Sequence, residues 1–169
     1  SDAQSQADTA EVQSAWTELD QTTITKEMGM GWNLGNQLEA SNAGIPSETT
    51  WGNPTISEDL IKAVKEQGFK TIRIPVSYLD KIGAAPDYTI DSAWLDRVQE
   101  VVDYVVGNDL YAIINIHGDG YYTVDKSWLR CVDDNQDEIK DKYEKVWAQI
   151  ADRFKDYDQH LIFESMNEE

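Results

Sequence analysis

The stretch YAIINIH (Tyr111–His117) decides the fold, because a short run with three isoleucines and few polar residues is typical of a buried strand. Similar stretches stand before and after it, TIRIPVS (Thr71–Ser77) and LIFESMN (Leu161–Asn167). The glycine-punctuated run GMGWNLGN (Gly29–Asn36) predicts an earlier strand that passes into a loop. Four strands are therefore expected.

Helical patterns separate these strands. Ser57 is expected to cap a helix that ends at Gly68, and a second helix is expected to begin near Ser92 with Gly107 as its C′ residue. Strands that alternate with amphipathic helices indicate an α/β protein with a parallel sheet and right-handed crossovers. The apolar residues that recur at helical spacing are Leu60, Ile61 and Val64 in the first helix, Trp94, Val98, Val101, Val102 and Val105 in the second, and Ile139, Tyr143, Val146, Trp147, Ile150 and Phe154 in the third.

The rest of the chain fits one domain. Residues 1–10 are small and polar and predict an N-terminal tail, whereas residues 11–169 form the domain and begin with helical spacing over Glu11–Leu19. Gln37–Pro54 is rich in Ser, Thr, Asn, Gly and Pro, and predicts a long loop. No apolar run reaches the ~18–20 residues that span a bilayer, and a signal peptide is expected to be absent or already removed.

The composition excludes several functions. The net charge is -18, with 32 acidic and 14 basic residues, so a polyanion such as nucleic acid would be repelled, and no membrane partner is expected. The ordinary explanation of this charge is a solvated surface, although it also fits a neutral or cationic partner and a crowded extracellular setting in which charge maintains solubility. Cys131 is the only cysteine, and His117 and His160 stand far apart, so neither a metal nor another cofactor is expected.

Polar residues close each predicted strand, at the edge of a parallel sheet where ligands bind. The first strand ends in Asn33 and Asn36, the third in His117, and the fourth in Asn167 and Glu168, whereas the second contains Arg73 and ends near Ser77. Each has an ordinary structural explanation; Arg73, for example, needs a carboxylate partner either as a structural ion pair or to tune a catalytic group. Trp51 and Trp128 lie in predicted loops, where an indole either packs or stacks on a sugar ring.

Five stretches then match a known family in order and spacing: GMGWNLGNQLEA (Gly29–Ala40), TTWGNP (Thr49–Pro54), GFKTIRIPVSY (Gly68–Tyr78), YAIINIHGDGYY (Tyr111–Tyr122) and LIFESMNEE (Leu161–Glu169). The chain resembles glycoside hydrolase family 5, the secreted endo-β-1,4-glucanases (cellulases) that are retaining TIM (β/α)8 barrels. The resemblance implies hydrolysis of β-glucan polysaccharides and a secreted location.

The resemblance also implies roles for single residues. Glu168 would be the catalytic acid/base, and Asn167 would orient a sugar hydroxyl or the nucleophile. Arg73 would hold the nucleophile ionised, His117 would bind substrate, and Asn36 would support the site. Two residues depart from the family pattern: Gly118 stands where many relatives have a second histidine, and Glu169 stands where proline is common.

Only four of the eight barrel strands are expected in this chain, so the resemblance implies an N-terminal half barrel without the seventh strand and its nucleophile. Such a half barrel would leave an apolar face and two sheet edges uncovered. It would be inactive alone, and it would need a C-terminal half barrel or a second copy of itself. The alternatives are a catalytically inactive, self-assembling half barrel and a carbohydrate-binding module, although the α/β pattern argues against the module.

Overall fold

The computed structural model describes residues 20–168, and these form an α/β fold around one parallel sheet. The sheet contains β1 (Gly31–Asn33), β4 (Thr71–Ile74), β5 (Tyr111–Ile114) and β6 (Leu161–Phe163). These strands lie side by side in that order, and every neighbouring pair is parallel. The four predicted strands are confirmed, but each is shorter than expected. At β4 the reason is Pro75, which has no N–H to donate to the ladder.

Within residues 20–168, four helices accompany the sheet: α1 (Gln21–Met28), α2 (Glu58–Glu66), α3 (Ser92–Val106) and α4 (Gln136–Arg153). The predicted tail and the helical spacing over Glu11–Leu19 lie outside the described residues. Helix α1 was not predicted, because none of its side chains is buried and its apolar periodicity is weak.

Helix ends follow the predicted signals in one case and depart from them in another. Ser57 caps α2 as expected, since its hydroxyl accepts a hydrogen bond from the Leu60 N–H at 3.3 Å. Gly107 follows α3 directly but keeps a right-handed backbone with φ -62, so the prediction of a C′ glycine is wrong. The left-handed residue is Asp109, with φ 56. Gly107 is needed for space, because a Cβ there would lie 2.7 Å from the Asp103 carbonyl oxygen.

The predicted long loop Gln37–Pro54 contains a small hairpin, formed by β2 (Ser41–Asn42) and β3 (Ile45–Pro46). Gly44 occupies its turn with φ 70, and a Cβ there would collide with the carbonyl oxygen of Asp125. The hairpin therefore packs closely against the loop that follows β5. This close approach depends on a glycine in the turn, which is a tertiary contact that local sequence does not reveal.

The core lies between the sheet and helices α2, α3 and α4. The paired residues Ile72, Ala112 and Leu161 are buried, together with the apolar faces of the helices. The next row, Arg73 with Ile113 and Ile162, is only half buried and points to the opposite face, since successive side chains alternate along a strand.

The face opposite the helices is not the continuous apolar surface that was expected. Arg73, Asn115 and Glu164 stand on it beside the two half-buried isoleucines and are joined by hydrogen bonds. Polar groups within β4 and directly after β5 and β6 thus make this face mixed. Within residues 20–168, no helix has the length and apolar character needed to cross a bilayer.

Candidate active site

Arg73 is the centre of the polar group at the carboxyl ends of the strands. Its Nε donates to Glu164 Oε2 at 2.6 Å, and its NH2 donates to Glu164 Oε1, which makes a bidentate pair. The same NH2 also donates to the Asn167 Oδ1 at 2.9 Å, and NH1 reaches the Asn33 Oδ1 at 3.4 Å. The carboxylate that Arg73 was expected to need is therefore Glu164, and the guanidinium joins the ends of β1, β4 and β6.

Asn115 connects this pair to His117. The amide of Asn115 is buried, accepts the Val76 N–H at 3.2 Å, and donates to Glu164 Oε1 at 3.0 Å. The same Nδ2 lies 3.3 Å from the His117 Nδ1. Because the amide nitrogen of Asn115 can only donate, Nδ1 of His117 must accept, so the neutral ring carries its proton on Nε2. His117 can thus offer an N–H to a ligand.

Electrostatics fix the charges of these groups. The Arg73 guanidinium holds the pKa of Glu164 below its usual value, against the opposing effect of burial. Burial lowers the pKa of His117, and the neighbouring Arg73 lowers it further, although Glu39 and Glu164 act in the opposite direction. At neutral pH the site therefore contains an ionised Glu164, a cationic Arg73 and a neutral His117.

Asn167 and Glu168 follow β6. The Asn167 backbone N–H donates to the Ile116 carbonyl at 3.1 Å, and its side-chain Nδ2 donates to the Tyr121 hydroxyl at 2.8 Å. Glu168 is exposed, has a positive φ of 36, and lines a cavity with Tyr121, Tyr122 and Arg130. The expected neighbours Asn167 and Glu168 thus stand on the same side of the sheet as Arg73 and His117.

A second cavity, of about 140 Å³, lies beside His117 and Tyr121. The loop after β1 supplies its other wall through Asn36, Glu39 and Trp51. Trp51 is 54% exposed and its indole N–H donates to the Ser41 carbonyl at 3.0 Å, so the ring is held in place while much of the residue remains accessible. The Glu39 carboxylate accepts the backbone N–H of Asn36, which has a left-handed φ of 62.

Trp128 takes a different position from the other predicted residues. Its indole N–H donates to the buried carboxylate of Asp119 at 2.8 Å, and the ammonium of Lys142 lies 4.5 Å from the ring centroid. The ring is partly buried and packs against the core. The structure therefore brings Asn36, Trp51 and His117 to one cavity, places Arg73, Asn167 and Glu168 beside it, and puts Trp128 behind the loop.

Sequence reasoning missed Glu164, Asn115, Tyr121 and Asp119. A signal existed for two of them, because Glu164 and Asn115 are polar residues inside predicted strands at the alternation that faces Arg73. Tyr121 and Asp119 carried no such signal, since they lie in a loop whose path depends on tertiary contacts. No group of three or more potential metal ligands occurs among residues 20–168.

Comparisons with known proteins give a consistent result. The family described as cellulase (glycosyl hydrolase family 5) matches residues 35–169. Endoglucanase A of Paenibacillus barcinonensis is 61% identical over 145 residues, which are 86% of this chain and 36% of that protein. A cellulase/esterase of Acetivibrio thermocellus is 50% identical over 145 residues, which are 86% of this chain and 16% of that protein.

Solved structures agree with these sequences. A family 5 xyloglucanase from Paenibacillus pabuli superimposes with a TM-score of 0.85 and 63% identity, over 86% of this chain and 40% of that one. A broad specificity endoglucanase from Clostridium acetobutylicum gives a TM-score of 0.80 and 50% identity, over 89% of this chain and 43% of that one. The chain thus spans between 16% and 43% of the length of these relatives. It belongs to glycosyl hydrolase family 5, the cellulases, a family of TIM-barrel glycosidases.

Proposed function

We propose that this chain provides the acid/base side of a retaining endo-β-1,4-glucanase, with Glu168 as the catalytic acid/base. The observation that carries the proposal is the gathering of Arg73, Glu164, His117 and Asn167 beside Glu168 at the carboxyl ends of the strands. A cavity with an accessible tryptophan adjoins this group. Catalytic residues of TIM barrels occupy this end of the sheet.

The geometry suits hydrolysis in two steps. Protonated Glu168 donates its proton to the glycosidic oxygen, while a nucleophilic carboxylate attacks the anomeric carbon and forms a glycosyl-enzyme. Glu168 then takes a proton from water, which attacks that intermediate and releases the sugar. The Asn167 amide, held on its oxygen by Arg73, is placed to donate from its nitrogen to a sugar hydroxyl. His117 offers Nε2–H, and Trp51 offers an indole face for stacking.

The nucleophile is proposed to lie outside these 169 residues. Retaining glycosidases need two carboxyl groups about 5–5.5 Å apart. The carboxylates near Glu168 are already engaged: Glu164 with Arg73 and Asn115, Glu39 with the backbone of Asn36, and Asp119 with the loop around it. The relatives are also much longer than this chain. We therefore expect residues 1–169 alone to be inactive on β-glucan.

The test is the Glu168→Gln variant of the full-length protein, with Glu169→Gln as its matched control. Loss of general acid catalysis should lower kcat on soluble β-glucan about 10²- to 10⁴-fold. An aryl cellobioside with a good leaving group needs no protonation, so its cleavage step should suffer far less. Glu169→Gln should retain near wild-type rates. Wild-type rates in Glu168→Gln, or the large loss in Glu169→Gln instead, would contradict the assignment.

The choice of polymers for the assay follows from the descriptions of the relatives. Their printed descriptions include endoglucanases of broad specificity and a xyloglucanase, so we propose β-1,4-glucans and include xyloglucan among the polymers to be assayed. Because such polymers do not enter cells, we also propose that the enzyme acts outside the cell. Fractionation of a producing culture, followed by an activity assay of the medium, tests that location.

An inactive, self-assembling half barrel is the second candidate. The observation that favours it is an apolar cavity at the β6 side, lined by Tyr143, Trp147 and the 44% exposed Phe163. Light scattering of residues 1–169 should give the mass of a dimer in that case. Coexpression with the remainder of a family barrel should restore β-glucan hydrolysis if the apolar surface instead receives a complementary half. A monomer that gains no activity on coexpression would contradict both outcomes.

A further inference from the structure

Asp119 is a buried acid in the turn that follows His117. Its carboxylate is fully buried and accepts hydrogen bonds from the Ser77 hydroxyl at 2.9 Å, the Tyr78 N–H at 3.1 Å and the Trp128 indole N–H at 2.8 Å. Ser77 and Tyr78 follow β4, whereas Trp128 lies at the far end of the loop after β5. One carboxylate thus joins two loops at the edge of the site.

The backbone of Asp119 closes the same loop. Its carbonyl oxygen accepts the Ser127 hydroxyl at 2.7 Å, the Trp128 N–H at 2.7 Å and the Leu129 N–H at 3.0 Å. Main-chain and side-chain acceptors of one residue therefore hold both ends of residues 118–129. These bonds close the loop between Asp119 and Leu129, and Tyr121 lies within the closed segment.

The arrangement has an energetic cost. Burial raises the pKa of Asp119 to about 6, against the opposing effects of Ser77, Trp128, the Tyr78 backbone and the Lys142 ammonium. Lys142, from α4, is itself half buried, and burial lowers its pKa. The other titratable neighbour, Tyr78, has a buried hydroxyl and a raised pKa. A charge that is costly to bury is uncommon where packing alone is required, and such groups concentrate at functional sites.

The loop that Asp119 holds contacts the neighbour of Glu168 through one side chain, that of Tyr121. The Tyr121 hydroxyl accepts the Asn167 Nδ2 at 2.8 Å, and the same Tyr121 forms the wall shared by the two cavities. Asn167 directly precedes Glu168, and its oxygen is held by Arg73. The Asn167 amide is thus oriented from one side by the sheet and from the other by the loop.

We propose that Asp119 is a positioning residue of the catalytic cleft: its carboxylate holds the loop after β5 so that the Tyr121 hydroxyl meets the Asn167 amide beside Glu168. The role in catalysis rests on the proposed function. The structural role, in which Asp119 holds the loop, can be tested without a measurement of activity. Asp119 touches neither the substrate nor the reacting atoms and acts through Tyr121 and Asn167.

The first test is a nuclear magnetic resonance titration of the full-length protein between pH 4 and pH 8, with labelled asparagine amides and tryptophan indoles. The Trp128 indole should report the ionisation of Asp119, and the Asn167 side-chain amide should shift with the same midpoint. Asp119→Asn should abolish both responses. Tyr121→Phe should abolish the Asn167 response while it leaves that of Trp128. An Asn167 response that persists unchanged in Asp119→Asn would overturn the proposal.

The second test measures steady-state kinetics. Asp119→Asn should lower kcat about 10- to 100-fold with little change of KM, because the loop misplaces a group that orients the reacting sugar. The core variant Val101→Ala, which should lower Tm without touching the loop, should keep the wild-type kcat. If Asp119→Asn does not fold, Ser77→Ala removes one donor and should give a smaller effect of the same kind.

The two tests separate the two proposals. A wild-type enzyme without β-glucan hydrolysis, together with coupled Trp128 and Asn167 titrations, would refute the proposed function and retain the positioning role. Wild-type kcat in Asp119→Asn and Tyr121→Phe, in an enzyme that needs Glu168, would refute the positioning role and retain the function.

Discussion

At the scale of single residues, Arg73 shows why its planar side chain matters. It binds both oxygens of Glu164 and still reaches Asn167, which a lysine ammonium cannot do from one position. Lysine would keep the charge but would lose the pair of N–H donors that binds both carboxylate oxygens. The geometry of the donor, and not its charge alone, therefore orders the strand ends.

We expect Arg73→Lys to lower the free energy of unfolding at pH 7 by about 1–2 kcal/mol, between the effects of exposed and buried ion pairs. The pKa of Glu164 is held low in the folded state, so its stabilising contribution is present above its usual pKa and is lost as the pH falls through the folded value. Urea unfolding at pH 7 and pH 3 should therefore show a smaller difference in Arg73→Lys than in the wild type. The exposed pair Lys62–Glu58 provides the control, since Lys62→Gln should change little.

At the scale of elements, the loop that carries Trp51 is anchored directly to helix α3. Arg97 of α3 donates to both oxygens of Glu48, at 3.0 Å each, and to the Ile56 carbonyl at 2.8 Å. Glu48 also accepts the Ile56 N–H at 3.0 Å. Both charged side chains are largely buried, at 18% and 15% exposure, so the helix fixes the path of the loop.

Arg97→Met should loosen this loop and so weaken the part of β-glucan binding that depends on Trp51. In the full-length enzyme we expect KM for β-glucan to rise about fivefold, equivalent to ~1 kcal/mol, while kcat changes less. Arg153→Met is the matched control, because Arg153 binds Asp96 of α3 and does not contact the loop. An equal effect of both variants on KM would indicate general destabilisation and would contradict the anchor.

At the scale of the whole molecule, buried titratable groups set the pH dependence of stability. Asp119 has a folded pKa of about 6, above its ordinary value of 3.8, so the folded state binds the proton more tightly. The contribution of Asp119 to the free energy of unfolding is fully present below pH 3.8 and is lost as the pH rises through 6. This contribution amounts to about 3 kcal/mol. His117 acts in the opposite direction, because its folded pKa is lowered.

The comparison of wild type with Asp119→Asn isolates this effect. The asparagine does not titrate, so the unfolding free energy of the variant, plotted against pH between about 4 and 6, should have a more positive slope than that of the wild type. Urea unfolding at several pH values measures the slope, which does not depend on the absolute loss caused by the substitution. Parallel slopes in the two proteins would show that Asp119 ionises at its ordinary pKa.

The local pattern of the chain was enough to predict the α/β class, the four parallel strands and the cap at Ser57, because hydrophobic periodicity and capping are local properties. The family motifs also marked Arg73, His117 and Asn167, which the structure brings together. Residues such as Pro75 mark the ends of the strands, but the sequence pattern predicts strands that extend several residues beyond the ends seen in the structure.

Only the tertiary structure decided which groups meet. The pairing of Arg73 with Glu164 spans 91 positions in the chain, and the bond from Asn167 to Tyr121 spans 46. No local pattern encodes such contacts, since they arise when the sheet aligns its strand ends and glycine turns let two loops approach. The same reason explains Trp128. Its position in a loop suits stacking on a sugar ring, but its indole N–H donates to the buried carboxylate of Asp119 and the ring packs against the core.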